Sequence, residues 1–340
     1  MLKTVLVTGG TGFIGGWCVI ELLKRGYTVR TTVRSLAKES SARALIASVT
    51  DPGDRLSFFA ADLTRDDGWD AAIMGCDYVL HVASPMGHDA AKDPNALIVP
   101  ARDGALRVLR AATRAGVDRV VMTSSTVTCR PRLNSADSVS DETVWTDPED
   151  QNLDPYRRSK TLAERAAWDL MAHQSGPTTL TTILPSCVLG PVLTAENLGS
   201  VQIIQRLLNG SMPGYPRFGF CVVDVRDVVD LHIHAMTAPD AAGERFIAAG
   251  DWKWMKEISQ ILRSSLELQA AKVPTRSLPD FVLRLASMFD RHLRFITPTL
   301  GRKHAVTSAK AEAVLGWKPR PTATTILDCA ESLIAKGVLG

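Results

Sequence analysis

The first thirty or so residues leave few folds open. Lys3 to Thr8 (KTVLVT) is a β-branched apolar run, too short for a helix and suited to a buried strand. Gly9-Gly10-Thr11-Gly12-Phe13-Ile14-Gly15 follows at once. Gly16 to Lys24 then carries Trp17, Ile20 and Leu23 at helical spacing and closes at Arg25-Gly26, where Gly26 can take the left-handed stop. Tyr27 to Val33 reads as a second strand. Strand, glycine turn, helix and strand in that order open a parallel α/β sheet. The glycines permit a tight turn and let the backbone approach a pyrophosphate resting on the helix N-terminus. The spacing is G-x-x-G-x-x-G, through Gly9, Gly12 and Gly15, rather than G-x-G-x-x-G.

The end of the second strand selects between dinucleotides. An acid there suits the ribose hydroxyls of NAD, and an arginine suits the 2′-phosphate of NADP. Here the strand ends Thr32-Val33-Arg34-Ser35, with Lys38 close behind and no acid before Glu39. Arginine binds phosphate through paired donors and lysine as a point charge.

Strand-like runs and helical stretches keep alternating. Leu56 to Ala60, Tyr78 to Ala83, Arg119 to Thr123 and Thr178 to Leu184 read as strands, with helices near Asp67 to Met74, from Pro94 to Ala115 and from Pro155 to about His173. This alternation implies an α/β fold with a doubly wound parallel sheet. Residues 130–153, rich in Asp, Ser and Pro, read as an irregular loop over the site. Beyond Pro185 the pattern loosens into helical pieces (198–208, 227–236, 254–263, 278–289, 308–315) and short strands near 220 and 246. The expected division is a dinucleotide-binding domain at 1–185 and a smaller α/β lobe at 186–340, with segments that can interleave.

Composition excludes several classes. At 45% hydrophobic and 22% charged residues, the 340-residue chain reads as an ordinary soluble globular protein. A net charge of +3 is too small to argue for nucleic acid or an anionic membrane. Cys18, Cys76, Cys129, Cys187, Cys221 and Cys329 are scattered without a C-x-x-C, and His232 and His234 face different ways on a helix, so no metal is expected. There is no apolar run long enough to span a membrane. The first strand begins at residue 3 and leaves no room for a leader, so a cytoplasmic protein, monomer or homodimer, is the expectation.

Asp154-Pro155-Tyr156-Arg157-Arg158-Ser159-Lys160 reads as a helix start, with Asp154 as cap and Pro155 in the first position. Tyr156 and Lys160, four apart, share a face. A phenol titrates near about 10, and a cation beside it lowers that value. The pair could then give a proton to a nascent alkoxide. Ser124-Ser125 ends the fifth strand, about thirty residues earlier. A hydroxyl there can polarise a carbonyl oxygen.

VTGGTGFIGGW, TVRTTVRS, ADLTRDDGW, VLHVASPM, VVMTSSTVT, YRRSKTLAERAAW, ILPSCVLGP and VDVRDVVDLHIHAM, in this order, resemble the extended short-chain dehydrogenase/reductase family along nearly the whole chain. The branch it most resembles holds dihydroflavonol-4-reductases, cinnamoyl-CoA reductases and methylglyoxal/aldehyde reductases. The resemblance implies a catalytic triad of Ser125, Tyr156 and Lys160. It implies a cofactor site of Gly9, Thr11, Gly12, Phe13, Ile14 and Gly15 for the pyrophosphate, and Arg34 and Lys38 for the 2′-phosphate. Asp62 and Leu63 would frame the adenine. Val82, Ala83, Ser84 and Thr123, with Tyr156 and Lys160, would hold the ribose and nicotinamide, and Pro185 and Val188 the carboxamide face. Ser84, Met86, Ser125, Val127, Arg130 and Ser200 would border the substrate. The activity implied is NADPH-dependent reduction of an aldehyde or ketone. A nucleotide-sugar epimerase or dehydratase with bound NAD, or a non-enzymatic dinucleotide sensor, is the alternative. Many members carry an asparagine in the fourth helix, and Val99-Pro100-Ala101-Arg102-Asp103-Gly104 offers none. The stretch after Ser125 and the 130–153 segment also depart from the flavonoid and CoA-thioester enzymes.

Overall fold

A computed structural model describes residues 3–85, 93, 95–133, 135–196, 198–289 and 291–339. In chain order the strands are β1 (Thr4–Thr8), β2 (Thr28–Val33), β3 (Leu56–Ala60), β4 (Tyr78–His81), β5 (Arg119–Thr123), β6 (Ser138–Ser140), β7 (Thr179–Pro185), β8 (Cys187–Leu189), β9 (Gly219–Asp224), β10 (Arg245–Ala248), β11 (Trp252–Trp254) and β12 (His304–Val306). The helices are α1 (Phe13–Lys24), α2 (Glu39–Ala47), α3 (Trp69–Ile73), α4 (Asn95–Ala115), α5 (Pro155–Ala172), α6 (Gln202–Leu208), α7 (Val225–Thr237), α8 (Met255–Leu266), α9 (Asp280–Ala286), α10 (Arg291–Ile296), α11 (Ala309–Leu315) and α12 (Thr322–Ala335).

Seven strands make one parallel sheet in the order β10-β7-β5-β4-β1-β2-β3. A parallel sheet must be covered on both faces, and β1 shows how its sequence does this. Alternate side chains leave a strand on opposite sides. Val5 and Val7 join Val19 and Leu22 of α1 and Val225 and Val229 of α7. Leu6 joins Val108 and Leu109 of α4 and Ala163 and Ala167 of α5. From β1 the chain winds one way through β2 and β3, and the other way through β4, β5, β7 and β10. The order therefore reverses between β1 and β4, and ligands of such sheets bind beyond the strand ends at that point.

The sheet draws β10, and α7 against its face, from beyond residue 186. α11 stays with this first core through Ala311. The lobe also holds a separate core. There the sheet β11-β9-β8 is packed by α6, α8 and α12 through Ile204, Leu207, Val222, Ile258, Leu262, Ile326 and Leu333.

The 130–153 segment is irregular apart from one short strand, and part of it lies at the edge of the sheet. Its β6 pairs with β12. Glu142 accepts the Ile247 N–H at 2.8 Å, and Arg245 donates to the Glu142 and Val144 carbonyls. Residues 142–144 thus lie along β10, the outermost strand, and cover part of an edge that would otherwise offer unpaired backbone groups. Among the described residues, no helix is long and apolar enough to cross a membrane.

Candidate active site

The glycine turn is fixed by space as well as by dihedral angle. Gly9 sits at φ +72°, and a Cβ there would stand 3.0 Å from the Cβ of Ala83. A Cβ on Gly15 would run into the Gly9 carbonyl oxygen. Hydroxyls at the end of β2 tie the turn down. Thr32 Oγ1 accepts from Gly9 N and Thr31 Oγ1 from Gly10 N, both at 3.1 Å. Gly12 opens α1 with no side-chain cap and no acid in the first turn. The N–H groups of Phe13, Ile14 and Gly15 have no intrahelical acceptor, and they mark the positive end of the helix. A cleft opens there, lined by Gly10, Thr11 and Gly12 on one side and by Leu193, Thr194 and Glu196 on the other. Trp17 Nε1 donates to Pro191 O at 2.9 Å and anchors that second wall. An uncapped, acid-free helix start beside a turn without side chains fits a dinucleotide pyrophosphate.

Arg34 and Lys38 stand exposed just past β2, and among the described residues neither closes an ion pair. Asp62 lies nearby. The N–H and hydroxyl of Thr64, at 2.8 and 2.7 Å, hold its carboxyl below the usual range against the pull of burial, and the Arg34 charge adds to them. Leu63 packs so closely on α4 that a Cβ at Gly104 would come within 2.7 Å of its own.

One hydroxyl spans the switch point. Thr8 Oγ1 accepts from Val82 N at 3.0 Å and Ala83 N at 2.9 Å. Its own proton therefore goes to His81 Nδ1, 2.9 Å away. His81 is neutral, pushed down to about 3 by burial and by the charge of Lys160. This arrangement sets Val82, Ala83 and Ser84 beside the turn, all partly buried. Met86 lies outside the described residues.

At the end of β5 the local sequence decides the geometry. Asp154 caps α5 by accepting Arg157 N at 2.9 Å, with Pro155 in the first turn. Lys160 is buried and its Nζ donates to Thr123 O at 3.4 Å. Burial pushes its pKa down to about 8, and Glu164 opposes that shift. Thr123 Oγ1 lies 2.7 Å from His232 Nε2, while His232 Nδ1 faces Val228 O at 2.7 Å. A carbonyl can only accept, so Nδ1 carries the proton and Nε2 takes that of Thr123. Burial holds His232 neutral, down at about 4. The phenol of Tyr156 is raised by burial, and the group that pulls it back is Ser125, through a hydrogen bond. The two serines part here. Ser125 faces the tyrosine and accepts Val127 N at 3.3 Å, whereas Ser124 turns to the core and donates to Glu164 at 2.5 Å.

The remaining candidates surround this centre. Pro185 ends β7, where Ser186 N donates to Ala248 O at 2.9 Å. Val188 is buried in β8, and its carbonyl accepts the Ser200 hydroxyl at 2.5 Å. Val127 lies partly buried in the turn after Ser125. Arg130 sends its guanidinium to the His304 carbonyl of β12, and burial lowers its affinity for protons. The hydroxyl of Ser200 and this arm of Arg130 are thus engaged with the chain's own carbonyls. Sequence reasoning missed Thr8, His81, His232, Glu164 and Arg245. Glu164, four after Lys160, carried a usable signal; Arg245 carried none locally. Among the described residues, no group of three or more His, Cys, Asp or Glu side chains could hold a metal ion.

Comparison with known proteins identifies the family. Residues 5–249 match the model of the NAD dependent epimerase/dehydratase family. The chain is 36% identical over 285 residues to cinnamoyl-CoA reductase CAD2 of Medicago truncatula, covering 82% of this chain and 83% of that one. It is 34% identical over 325 residues to dihydroflavonol 4-reductase of Zea mays, covering 86% and 87%. Yeast methylglyoxal/isovaleraldehyde reductase Gre2, solved with NADPH, shares the fold at a TM-score of 0.80 and 24% identity, over 99% of this chain and 100% of that one. The chain belongs to the NAD dependent epimerase/dehydratase family, the extended short-chain dehydrogenase/reductases.

Proposed function

We propose that this protein is an NADPH-dependent carbonyl reductase acting on aldehydes or ketones. The observation that carries the reading is the meeting of Ser125, Tyr156 and Lys160 at the end of β5, on the crevice side of the sheet. NADPH, when bound, supplies the hydride for the carbonyl carbon. Gly9, Thr11, Gly12, Phe13, Ile14 and Gly15 hold its pyrophosphate, and Arg34 and Lys38 its 2′-phosphate. Asp62 and Leu63 frame the adenine, and Val82, Ala83, Ser84, Thr123, Pro185 and Val188 border the nicotinamide half. Ser125 hydrogen-bonds the carbonyl oxygen and polarises it. Tyr156 keeps its proton until an alkoxide forms, because burial disfavours the free phenolate. It then donates to that oxygen as general acid. Lys160 offsets the phenolate charge left behind and reaches the ribose. Ser84 and Val127 face the substrate, while Arg130 and Ser200 shape the wall through their ties to the chain. Residues 1–185 serve the cofactor and 186–340 the substrate, with β10, α7 and α11 returned to the first unit.

The names of the relatives support this reading, since reductases of cinnamoyl-CoA, anthocyanidin and dihydroflavonol are all among them. The test is a panel of carbonyl compounds followed by NADPH absorbance, run on the parent and on Tyr156→Phe. General acid catalysis contributes about 10²–10⁴-fold, so the variant should lose that much turnover while NADPH affinity stays near parental. A folded Tyr156→Phe enzyme with parental turnover removes the reading.

A further inference from the structure

Lys160 carries its ammonium in a buried place, where a lone charge is costly. One helical turn on, α5 bears Glu164, which is 0% exposed. Its carboxylate is held at three points. One oxygen accepts Ser124 Oγ at 2.5 Å; the other accepts Thr182 Oγ1 and Arg245 Nε, both at 2.9 Å. Arg245 comes from β10, lies 3.6 Å from the ring centre of Trp145, and donates further to Thr128 Oγ1 at 3.2 Å. A buried ion pair is a weak source of stability, since an apolar pair of similar volume often serves a core as well. The carboxylate of this pair, however, belongs to the same face of α5 as the lysine of the site, one turn along.

We infer that Glu164 is a positioning residue for the reaction at Tyr156 and Lys160: its fixed carboxylate keeps the Lys160 side chain an ammonium aimed at the end of β5, and Arg245 sets how strongly it does so. The inference rests on the carbonyl-reductase reading. The groups facing Lys160 are the neutral His81 from β4, the Thr123 carbonyl from β5 and Glu164 from its own helix, with Tyr156 one turn back on the same helix. Those facing Glu164 are Ser124, Thr182, Arg245, Lys160 and the thiol of Cys129, with Glu142 reached through Arg245. Among them Glu164 supplies the charge that raises the lysine's affinity for its proton.

The sign of the test follows. An ammonium is lost as pH rises through its pKa, so it governs the alkaline side of the activity profile. Removing the carboxylate charge should move that limb to lower pH. Removing the Arg245 charge leaves the carboxylate less neutralised and should move the limb to higher pH. The experiment measures kcat/KM for NADPH-dependent reduction, and NADPH Kd by fluorescence, from neutral to alkaline pH. It compares the full-length parent with Glu164→Gln, Glu164→Asp and Arg245→Gln. An opposite charge nearby shifts a pKa by about 1–3 units, so Glu164→Gln should move the limb down by about one unit. That is roughly a 10-fold loss on the alkaline side, with weaker NADPH binding there. Glu164→Asp should recover most of this, and Arg245→Gln should shift the limb up. A brace for the fold alone would lower melting temperatures and leave the limb in place. Unmoved limbs in folded variants, or shifts of the same sign in Glu164→Gln and Arg245→Gln, overturn the inference while the parent's turnover preserves the reductase reading. If Glu164→Gln does not fold, a folded Arg245→Gln without an upward shift overturns it equally. A parent without carbonyl turnover at any pH overturns the reading and the inference together.

Discussion

In the β1–α1–β2 unit the turn is shaped by residues close in sequence. Gly9 and Gly10 are tied to Thr32 and Thr31, and Gly15 packs on Gly9. In the C-terminal lobe the partners are distant. β6 meets β12 from near the end of the chain, β9 joins β8 to β11, and α12 closes the core over α6 and α8. The first region is specified by where side chains must be absent, the second by apolar side chains that fill a shared interior. The first should therefore lose function before stability under substitution, and the second stability before function.

The largest effect expected from this contrast falls in the lobe. Leu333 is fully buried in α12. Leu→Ala at such a site costs about 2–5 kcal/mol, through lost transfer energy and the cavity left behind. Leu333→Ala should lower the melting temperature and leave NADPH affinity in the folded fraction unchanged. Parental stability in this variant would break the comparison from the lobe side.

Gly15→Ala should do the converse. The added methyl meets the Gly9 carbonyl, a backbone atom that cannot swing aside, so the turn itself must shift. A misplacement on the order of 1 Å near a site can cost about 10²-fold. NADPH affinity, titrated by fluorescence, should fall by that order. Binding at the parental level would show the turn to be looser than its contacts imply.

Arg34→Ala tests a function placed on a side chain within the same unit. Charge-assisted hydrogen bonds contribute about 1.5–3 kcal/mol, so the preference for NADPH over NADH should shrink about 10- to 100-fold in kcat/KM, with NADH use nearly intact. Equal use of both cofactors by the parent would remove the assignment of Arg34 and Lys38.

The same contrast explains what the sequence made legible. The glycine turn, the parallel alternation and the Asp154-Pro155 helix start are local patterns, and each forms where it was read. β6, β8, β11 and β12 are three-residue strands whose pairing comes from elsewhere in the chain, so no window of sequence marks them. α12 begins TATT, four residues with little apolar signal, and its buried stripe of Ile326, Cys329, Ala330 and Leu333 escaped notice. At the site, Tyr156 and Lys160 were readable from their spacing. Ser125 was read as a partner for the substrate carbonyl, but not its hydrogen bond to the phenol, which depends on how the end of β5 meets α5. Glu164 shows only its spacing from Lys160 in the sequence, and its partner Arg245 lies 81 residues away.

The smallest effect should come from Gly26, the glycine closing α1. It shares the unit with Gly15, but a Cβ there would meet nothing within 4 Å, while its φ is +87°. Gly15 is glycine because there is no room; Gly26 is glycine because of its backbone angle. An L-residue forced into the left-handed region costs about 1–2 kcal/mol. Gly26→Ala should therefore lower stability by roughly that amount and leave NADPH affinity and turnover at parental values, because no atom of the turn has to move. Asparagine tolerates that region better than alanine, so Gly26→Asn should recover part of the loss. Thermal melts of the three proteins, with NADPH titrations alongside, decide the matter. A loss of NADPH affinity in Gly26→Ala comparable to that in Gly15→Ala would mean that the unit responds to any disturbance of its helix, and that absence of side chains in the turn is not what its glycines specify.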